Sequence, residues 1–328
     1  MISDMDKIIV TLAIGEFLIG MLENGFIGLV NCSEWVKNQE ISLVDFILTC
    51  LAISRILQQL VLLFDTFILV VYPYILASYR LGKIFSSLWR MMNHLTTWLS
   101  TCVSIIYFLK IAHFSHSLFL WFKWRTNRVI LMVFICSLSL LTFDFLLLET
   151  FNDFWLNVYM VDRSNFTFYS GKTKLFYVKS LILLTLTYFV PTVLSLISLL
   201  LLFLSLLRHT KNLQLNAMGS SDLCTEAHKR AMKMVLSFLL FITIHSVFTQ
   251  IGNWMFFELQ DHIIVKLTLL ALSFFPTGHS FILILGNSKL RQTALRLLCI
   301  LKPPEKSLYI SFIDRLSGIL PKRLMKKI

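Results

Sequence analysis

Residues 89–98 read WRMMNHLTTW, a concentration of polar groups between two tryptophans in a chain that is 57% hydrophobic. Trp89, Asn93, Thr96, Thr97 and Ser100 recur at helical spacing and share one stripe of a helix. Their chemistry is non-covalent recognition: an indole gives flat apolar contact, and one turn deeper an amide both donates and accepts hydrogen bonds. Tryptophan also serves membrane helices as an interfacial anchor, and asparagine as an interhelical clasp. Spacing alone does not separate these uses. Arg90 and His94, one turn apart, form a second pair that either extends a cavity wall or lets the arginine snorkel toward headgroups. No Gly-x-Ser-x-Gly elbow or Gly-rich phosphate loop occurs, so the sequence points to neither an enzyme nor a cofactor protein.

The elements that must position this stripe follow from composition. With 328 residues, 29 phenylalanines, 15% charged residues and a mean hydropathy of +0.76, the chain has more apolar side chain than a soluble core of its length needs. A spanning helix takes about 20 mostly apolar residues. Runs of that kind fall at 8–31, 44–66, 86–109, 128–149, 180–207, 231–256 and 265–286. They are too long for transmembrane strands, so the expected fold is an all-α bundle of seven membrane helices. No repeat or Gly/Ser linker divides it. The expected organisation is one membrane domain over 1–300 and a basic tail over 301–328. The first run carries Glu16, Glu23 and Asn24 and no small-x-small cleavage site, which reads as a first helix rather than a removable signal.

Orientation follows the distribution of Lys and Arg. Twenty of the thirty fall on the side that holds the 32–43, 110–128 and 208–230 segments and everything after 287. That side is expected to be cytoplasmic, with the N-terminus outside and the protein multi-pass in the plasma membrane. Asn165-Phe166-Thr167 is then an N-glycosylation acceptor on the outer side, whereas Asn31-Cys32-Ser33 falls inside. The six cysteines leave none for an outer-loop disulfide. Cys50, Cys102 and Cys136 read as small buried hydrophobes.

Five stretches carry a family resemblance: NGFIGLVNC (24–32), DFILTCLAISR (45–55), YFLKIAHFSHSLFLWFKWR (107–125), TEAHKRAMK (225–233) and HSFILILGNSKLRQTALR (279–296). In order and place they resemble the bitter taste receptors of type 2, and they cover every inner boundary up to Pro303-Pro304. The rhodopsin-like marks are missing, with no Asp-Arg-Tyr ending the third run and no Asn-Pro-x-x-Tyr in the seventh. The chain departs from the family at Glu23, where glycine is commoner, and at Ser117, where proline is.

The resemblance implies a G-protein-coupled receptor that binds small bitter compounds in an outer-half pocket and activates a heterotrimeric G protein of the gustducin type. It implies ligand contact at Trp89 and Asn93, with Arg90 and His94 beside them. It also implies contact at His245, Phe248 and Thr249 in the sixth run and at Leu269 and Leu272 in the seventh. Where this chain has Leu269 some relatives have glutamate, which argues against selectivity for cations. Asn24, Arg55, His279 and Ser280 are expected to form a polar activation network. Arg55 carries the reasoning there, because an intramembrane charge faces the bundle interior and a partner. Tyr107, Lys110, Lys229, Arg230 and Lys233, with Lys289 and Arg291, are expected to ring the cytoplasmic mouth for the G protein. The terminal PKRLMKKI suits anionic lipid. Pro191 and Pro276 are bend points or static kinks. Two rivals remain: a vomeronasal type 1-like chemoreceptor, and a secondary transporter, which would show inverted repeats the chain lacks.

Overall fold

The structure is a computed structural model that describes residues 3–40, 42–71, 79–161, 170–216, 222–258 and 262–300. Among them run nine helices: α1 (Asp4–Asn38), α2 (Leu43–Val71), α3 (Tyr79–Ile111), α4 (Ser117–Trp124), α5 (Thr126–Val161), α6 (Ser170–Asn216), α7 (Asp222–Glu258), α8 (His262–Gly286) and α9 (Ser288–Ile300). The described residues contain no strand. The expected all-α bundle is therefore present.

Local sequence explains the boundaries. Ser3 caps α1 by accepting from the Asp6 amide at 3.2 Å, and Asp4 and Asp6 complement the positive end of the helix. Gln39 ends it in the left-handed region at φ 57°, its amide donating to Trp35 O. At α2, Ser42 and Asp45 form a reciprocal cap: the Asp45 amide donates to Ser42 Oγ at 3.1 Å and Ser42 Oγ–H to the Asp45 carboxylate at 2.8 Å. Asn287 interrupts the last long helix and caps α9 through the Lys289 and Leu290 amides.

The long helices close into a ring. α1 packs on α2 and α8, α2 on α3 and α8, α3 on α5 and α6, α6 on α7, and α7 on α8. Leu48, Leu51, Ile106, Leu199, Leu202, Phe238 and Leu283 build one apolar cluster inside it. Outside, large apolar side chains such as Leu22, Leu29, Met132, Leu146 and Leu240 are exposed all around the ring, while Asn24, Arg55, Gln58, Asn93 and Ser280 are buried. An apolar exterior over a polar interior is the pattern of a bundle solvated by hydrocarbon.

Five helical segments are long and apolar enough to cross a bilayer: Leu43–Val71, Thr126–Leu146, Thr185–Lys211, Ala231–Gly252 and Lys266–Gly286. The first and third expected spans lie in α1 and α3, which carry polar residues along their length. Those residues are turned inward: Glu16 accepts from Ser273 Oγ–H of α8, and α3 buries Asn93, His94, Thr96, Ser100 and Thr101. The tail after 300 and Asn165 lie outside the described residues.

Two expectations about small side chains need correction. Cys136 is exposed rather than buried, because its face of α5 is turned away from the bundle, and Cys50 is half-buried. Gly20 has a packing role, since any Cβ there would overlap the Gln59 amide, which reaches past it to donate to Thr277 Oγ1 at 2.7 Å.

At one end of the ring, Lys266 of α8 donates to the Asp6 carboxylate of α1 at 2.6 Å. Hydrogen bonding to Lys266 is the largest influence on Asp6 and holds its carboxyl below the usual range, against a smaller opposing effect of burial. A carboxyl held low in the folded state stabilises above its unfolded value of 3.8 and loses that contribution as pH falls through the lowered value. Asp6→Asn is therefore expected to lower the melting temperature at pH 6 and to have a smaller effect as the pH is lowered below 3.8. A wild-type-minus-variant difference that does not shrink on acidification would refute this clamp.

Candidate functional site

Arg55 sits in α2 with no exposure. Its Nη1 donates to Ser280 Oγ at 2.8 Å, and its Nη2 donates to Ser100 Oγ at 3.2 Å and to His279 Nδ1. The His279 ring is thereby held as the tautomer with an acceptor at Nδ1. Ser280 in turn has two acceptors for its single proton: Asn24 Oδ1 at 2.7 Å and the Pro276 carbonyl at 2.8 Å. Asn24 Nδ2 donates to Gly20 O at 2.9 Å. The four expected network residues are thus brought together, and Ser100 of α3 joins them. The Glu23 carboxylate acts on Arg55 electrostatically from longer range.

This geometry allows two arrangements without moving a helix axis. Ser280 Oγ–H can serve Asn24, tying α8 to α1, or the Pro276 carbonyl, closing on its own helix.

Toward the Lys266 end lie the residues expected to contact ligand. Asn93 is fully buried, accepts from Gln58 Nε2 at 3.2 Å and also engages the buried Tyr188 hydroxyl. The Trp89 Nε1, Thr97 Oγ1, Thr249 Oγ1 and both His245 nitrogens are buried and unpartnered. Buried polar atoms are nearly always satisfied, so a group of orphans marks a place where water or a ligand completes the bonding. His245 stacks on Phe275, with ring centroids 4.0 Å apart. Leu272 is buried beside Gly252, Leu269 is partly buried, and Phe248, next to Thr249 and one turn from His245, is partly buried.

The α3 stripe divides between neighbours. Thr96 donates to Ser54 of α2 at 3.4 Å and Ser100 serves Arg55, so these two belong to the α2 contact. Arg90 pairs with Asp144 of α5 at 3.5 Å, and His94 Nε2 bonds Ser137 O of α5 at 3.0 Å with its ring against Trp98. That pair therefore faces α5; neither of the two orientations weighed from the sequence describes it. Two hollows, of about 520 and 260 Å³, lie elsewhere: one at the α4–α5 junction and one between α1 and α2.

At the opposite end the expected ring of cations is incomplete. Lys289 reaches Glu34 at 2.8 Å and Asp45 at 3.2 Å, so its charge is neutralised by α1 and α2. The Tyr107 hydroxyl is buried and feels Asp45, whereas Lys110 and Lys233 are exposed. The side chains of Lys229 and Arg230 lie outside the described residues. Asn31 is buried and donates to Asp45 O at 3.4 Å, which leaves it inaccessible to a glycan. His113 and His116 stand at a spacing that metal pairs use, but the first lies against His209 and the second caps α4. No metal-holding group of three occurs among the described residues.

Sequence reasoning missed Gln58, Gln59, Asp144, Tyr188, Glu34 and Asp45. The two glutamines carried a usable signal, as adjacent amides in an apolar run.

Ser280→Ala removes an acceptor from Arg55 and a donor from Asn24. It is expected to cost about 1–3 kcal/mol, read as a lower melting temperature of the detergent-purified chain. Thr243→Ala, an exposed site bonded only to its own helix, is expected to stay within about 0.5 kcal/mol. Equal melting for Ser280→Ala and wild type would remove Ser280 from the network.

Comparison with known proteins bears on this arrangement. Residues 1–302 match the family model described as Taste receptor protein (TAS2R). The chain is 57% identical to taste receptor type 2 member 42 of Pan troglodytes over 301 residues, covering 91% of this chain and 95% of that one. The identity and both coverages are the same for the Homo sapiens protein of that name. With taste receptor type 2 member 7 of Macaca mulatta it is 43% over 298 residues, covering 89% and 94%.

Proposed function

The chain belongs to the type 2 taste receptor family, and from that premise we propose that it is a bitter taste receptor of the plasma membrane that activates a gustducin-type G protein. As a G-protein-coupled receptor it is not an enzyme. The observation that carries the ligand reading is the group of unpartnered buried polar atoms on Trp89, Thr97, His245 and Thr249, on the two helices that also carry Asn93 and Phe248. Apolar walls from Phe248, Leu269 and Leu272 suit a small, largely hydrophobic compound that makes a few hydrogen bonds. Arg90 and His94 hold α3 to α5 and shape this pocket without lining it. Lys110, Lys229, Arg230 and Lys233 meet the G protein, and Tyr107 sits beneath them.

We further propose seven spans, with α1 and α3 completing the five apolar ones, the N-terminus outside, and a receptor domain ending near residue 300. The family match ending at residue 302 supports that boundary. The excess of Lys and Arg on the inner side supports the orientation. A glycan at Asn165 follows from it. A glycosidase-sensitive mass shift that disappears in Asn165→Gln is the expected result, and a shift retained in that variant would contradict it.

In cells carrying a gustducin-type chimeric G protein, a bitter-compound screen is expected to give concentration-dependent calcium responses. Asn93→Ala and Trp89→Ala are each expected to weaken agonist potency about tenfold, the equivalent of one lost buried contact, at normal surface expression. Unchanged potency in both would refute the pocket.

A further inference from the structure

We propose that the α4–α5 junction binds the headgroup of an anionic phospholipid. Calling its leaflet cytoplasmic rests on the orientation proposed above; the lipid assignment does not.

The junction forms an open surface depression of about 520 Å³ lined by Lys123, Trp124, Arg125, Thr126, Asn127 and Arg128. Three of these six are cations, and none is a carboxylate. The sequence supplies none nearby either, since no Asp or Glu stands between Asp65 and Asp144. Three other cations of the bundle are neutralised within it: Lys266 by Asp6, Lys289 by Glu34 and Asp45, and Arg90 by Asp144. Among the described residues no carboxylate pairs with Lys123, Arg125 or Arg128, so the junction is a positive site open to a bound anion.

Two of the three cations are also held in place. Lys123 Nζ donates to Ala112 O at 3.1 Å and lies 5.7 Å from the Phe119 ring centroid. The Arg125 guanidinium lies 4.9 Å from the Trp121 centroid, a cation–π contact that fixes its plane at the rim of the depression.

What surrounds the depression selects a lipid over a soluble anion. Leu118, Leu120, Trp121 and Phe122 of α4 are exposed, and Trp124 is 88% exposed. They continue into Leu131, Met132 and Ile135 on the exposed face of α5. Tryptophan and phenylalanine beside arginine, at the end of an apolar helix face, are the composition of a membrane–water boundary. A phospholipid fits both parts at once, with its phosphate among Lys123, Arg125 and Arg128 and its acyl chains along α5. A docked G protein would leave the apolar face of α5 uncovered.

The test uses the full chain in phosphatidylcholine nanodiscs containing a trace of acyl-dansylated phosphatidylserine or acyl-dansylated phosphatidylcholine, with tryptophan-to-dansyl energy transfer as the readout. Each basic residue at an anionic surface strengthens attachment about fivefold. With three such residues the wild type is therefore expected to prefer phosphatidylserine by up to about a hundredfold, and Arg125→Gln/Arg128→Gln to reduce that preference to about fivefold. Both side chains are exposed, so the double variant is expected to melt like the wild type. Lys110→Gln/Lys233→Gln removes the same charge from elsewhere on the same end of the bundle and is expected to retain the preference. The proposal is overturned by equal transfer from both lipids in the wild type, or by equal losses in the two double variants. It is also overturned if Arg125→Gln/Arg128→Gln keeps lipid preference but loses binding of purified G protein, which would assign the face to that partner.

Discussion

A guanidinium with no exposure, in the middle of an apolar bundle, is the constraint around which the other helices are arranged. Stranding Arg55 there would cost several kcal/mol, so α1, α3 and α8 each present polar atoms to the α2 arginine or to its partners. Ser100 and Ser280 accept from it directly, His279 turns Nδ1 toward it, and Asn24 accepts from Ser280. Removing any of these leaves a donor or acceptor unpaired in low dielectric, which makes the four helices interdependent. Pro276 adds the alternative: its carbonyl is the second acceptor for Ser280's single proton.

Two chains of contact lead from the orphaned polar group and its neighbour Asn93 to this knot. Asn93 accepts from Gln58, which stands one helical turn from Arg55 on α2. His245 stacks on Phe275, whose ring lies 5.5 Å from that of His279, the partner of Arg55. A ligand that recruits Asn93 or His245 therefore acts on groups already coupled to the guanidinium. On the far side of the knot the packing is apolar, through Leu51, Ile106, Leu199, Phe238 and Leu283, until Lys289 ties α9 to Glu34 and Asp45. The orphaned polar group, the knot around Arg55 and the Lys289 contacts are three layers with different chemistry along one bundle.

The helical class was legible because hydrocarbon forces long apolar runs, and those runs survive in the sequence whatever the partners. Arg55 was legible for the complementary reason: a charge in such a run has to be satisfied. Its partners on α1 and α8 came from family motifs, while Ser100 was assigned to the ligand stripe, because periodicity gives a face but not which neighbour that face meets. Arg90 and His94 show the same limit. Their spacing placed them together correctly, yet only the position of α5, with Asp144 and Ser137, decides where they point. Lys289 was read as free charge because the acids that neutralise it, Glu34 and Asp45, are over 240 residues away in the chain. Ion pairs between remote segments leave no local pattern.

The claim that one guanidinium couples α3 to α8 is tested most directly by a double-mutant stability cycle on Ser100→Ala and Ser280→Ala. The two serines lie on different helices and, in this account, communicate through Arg55 alone. The structure predicts a non-additive cycle, with an interaction energy above about 0.5 kcal/mol. Effects that sum to within about 0.3 kcal/mol would mean that the two serines stabilise the bundle independently, and would contradict an organisation built on Arg55.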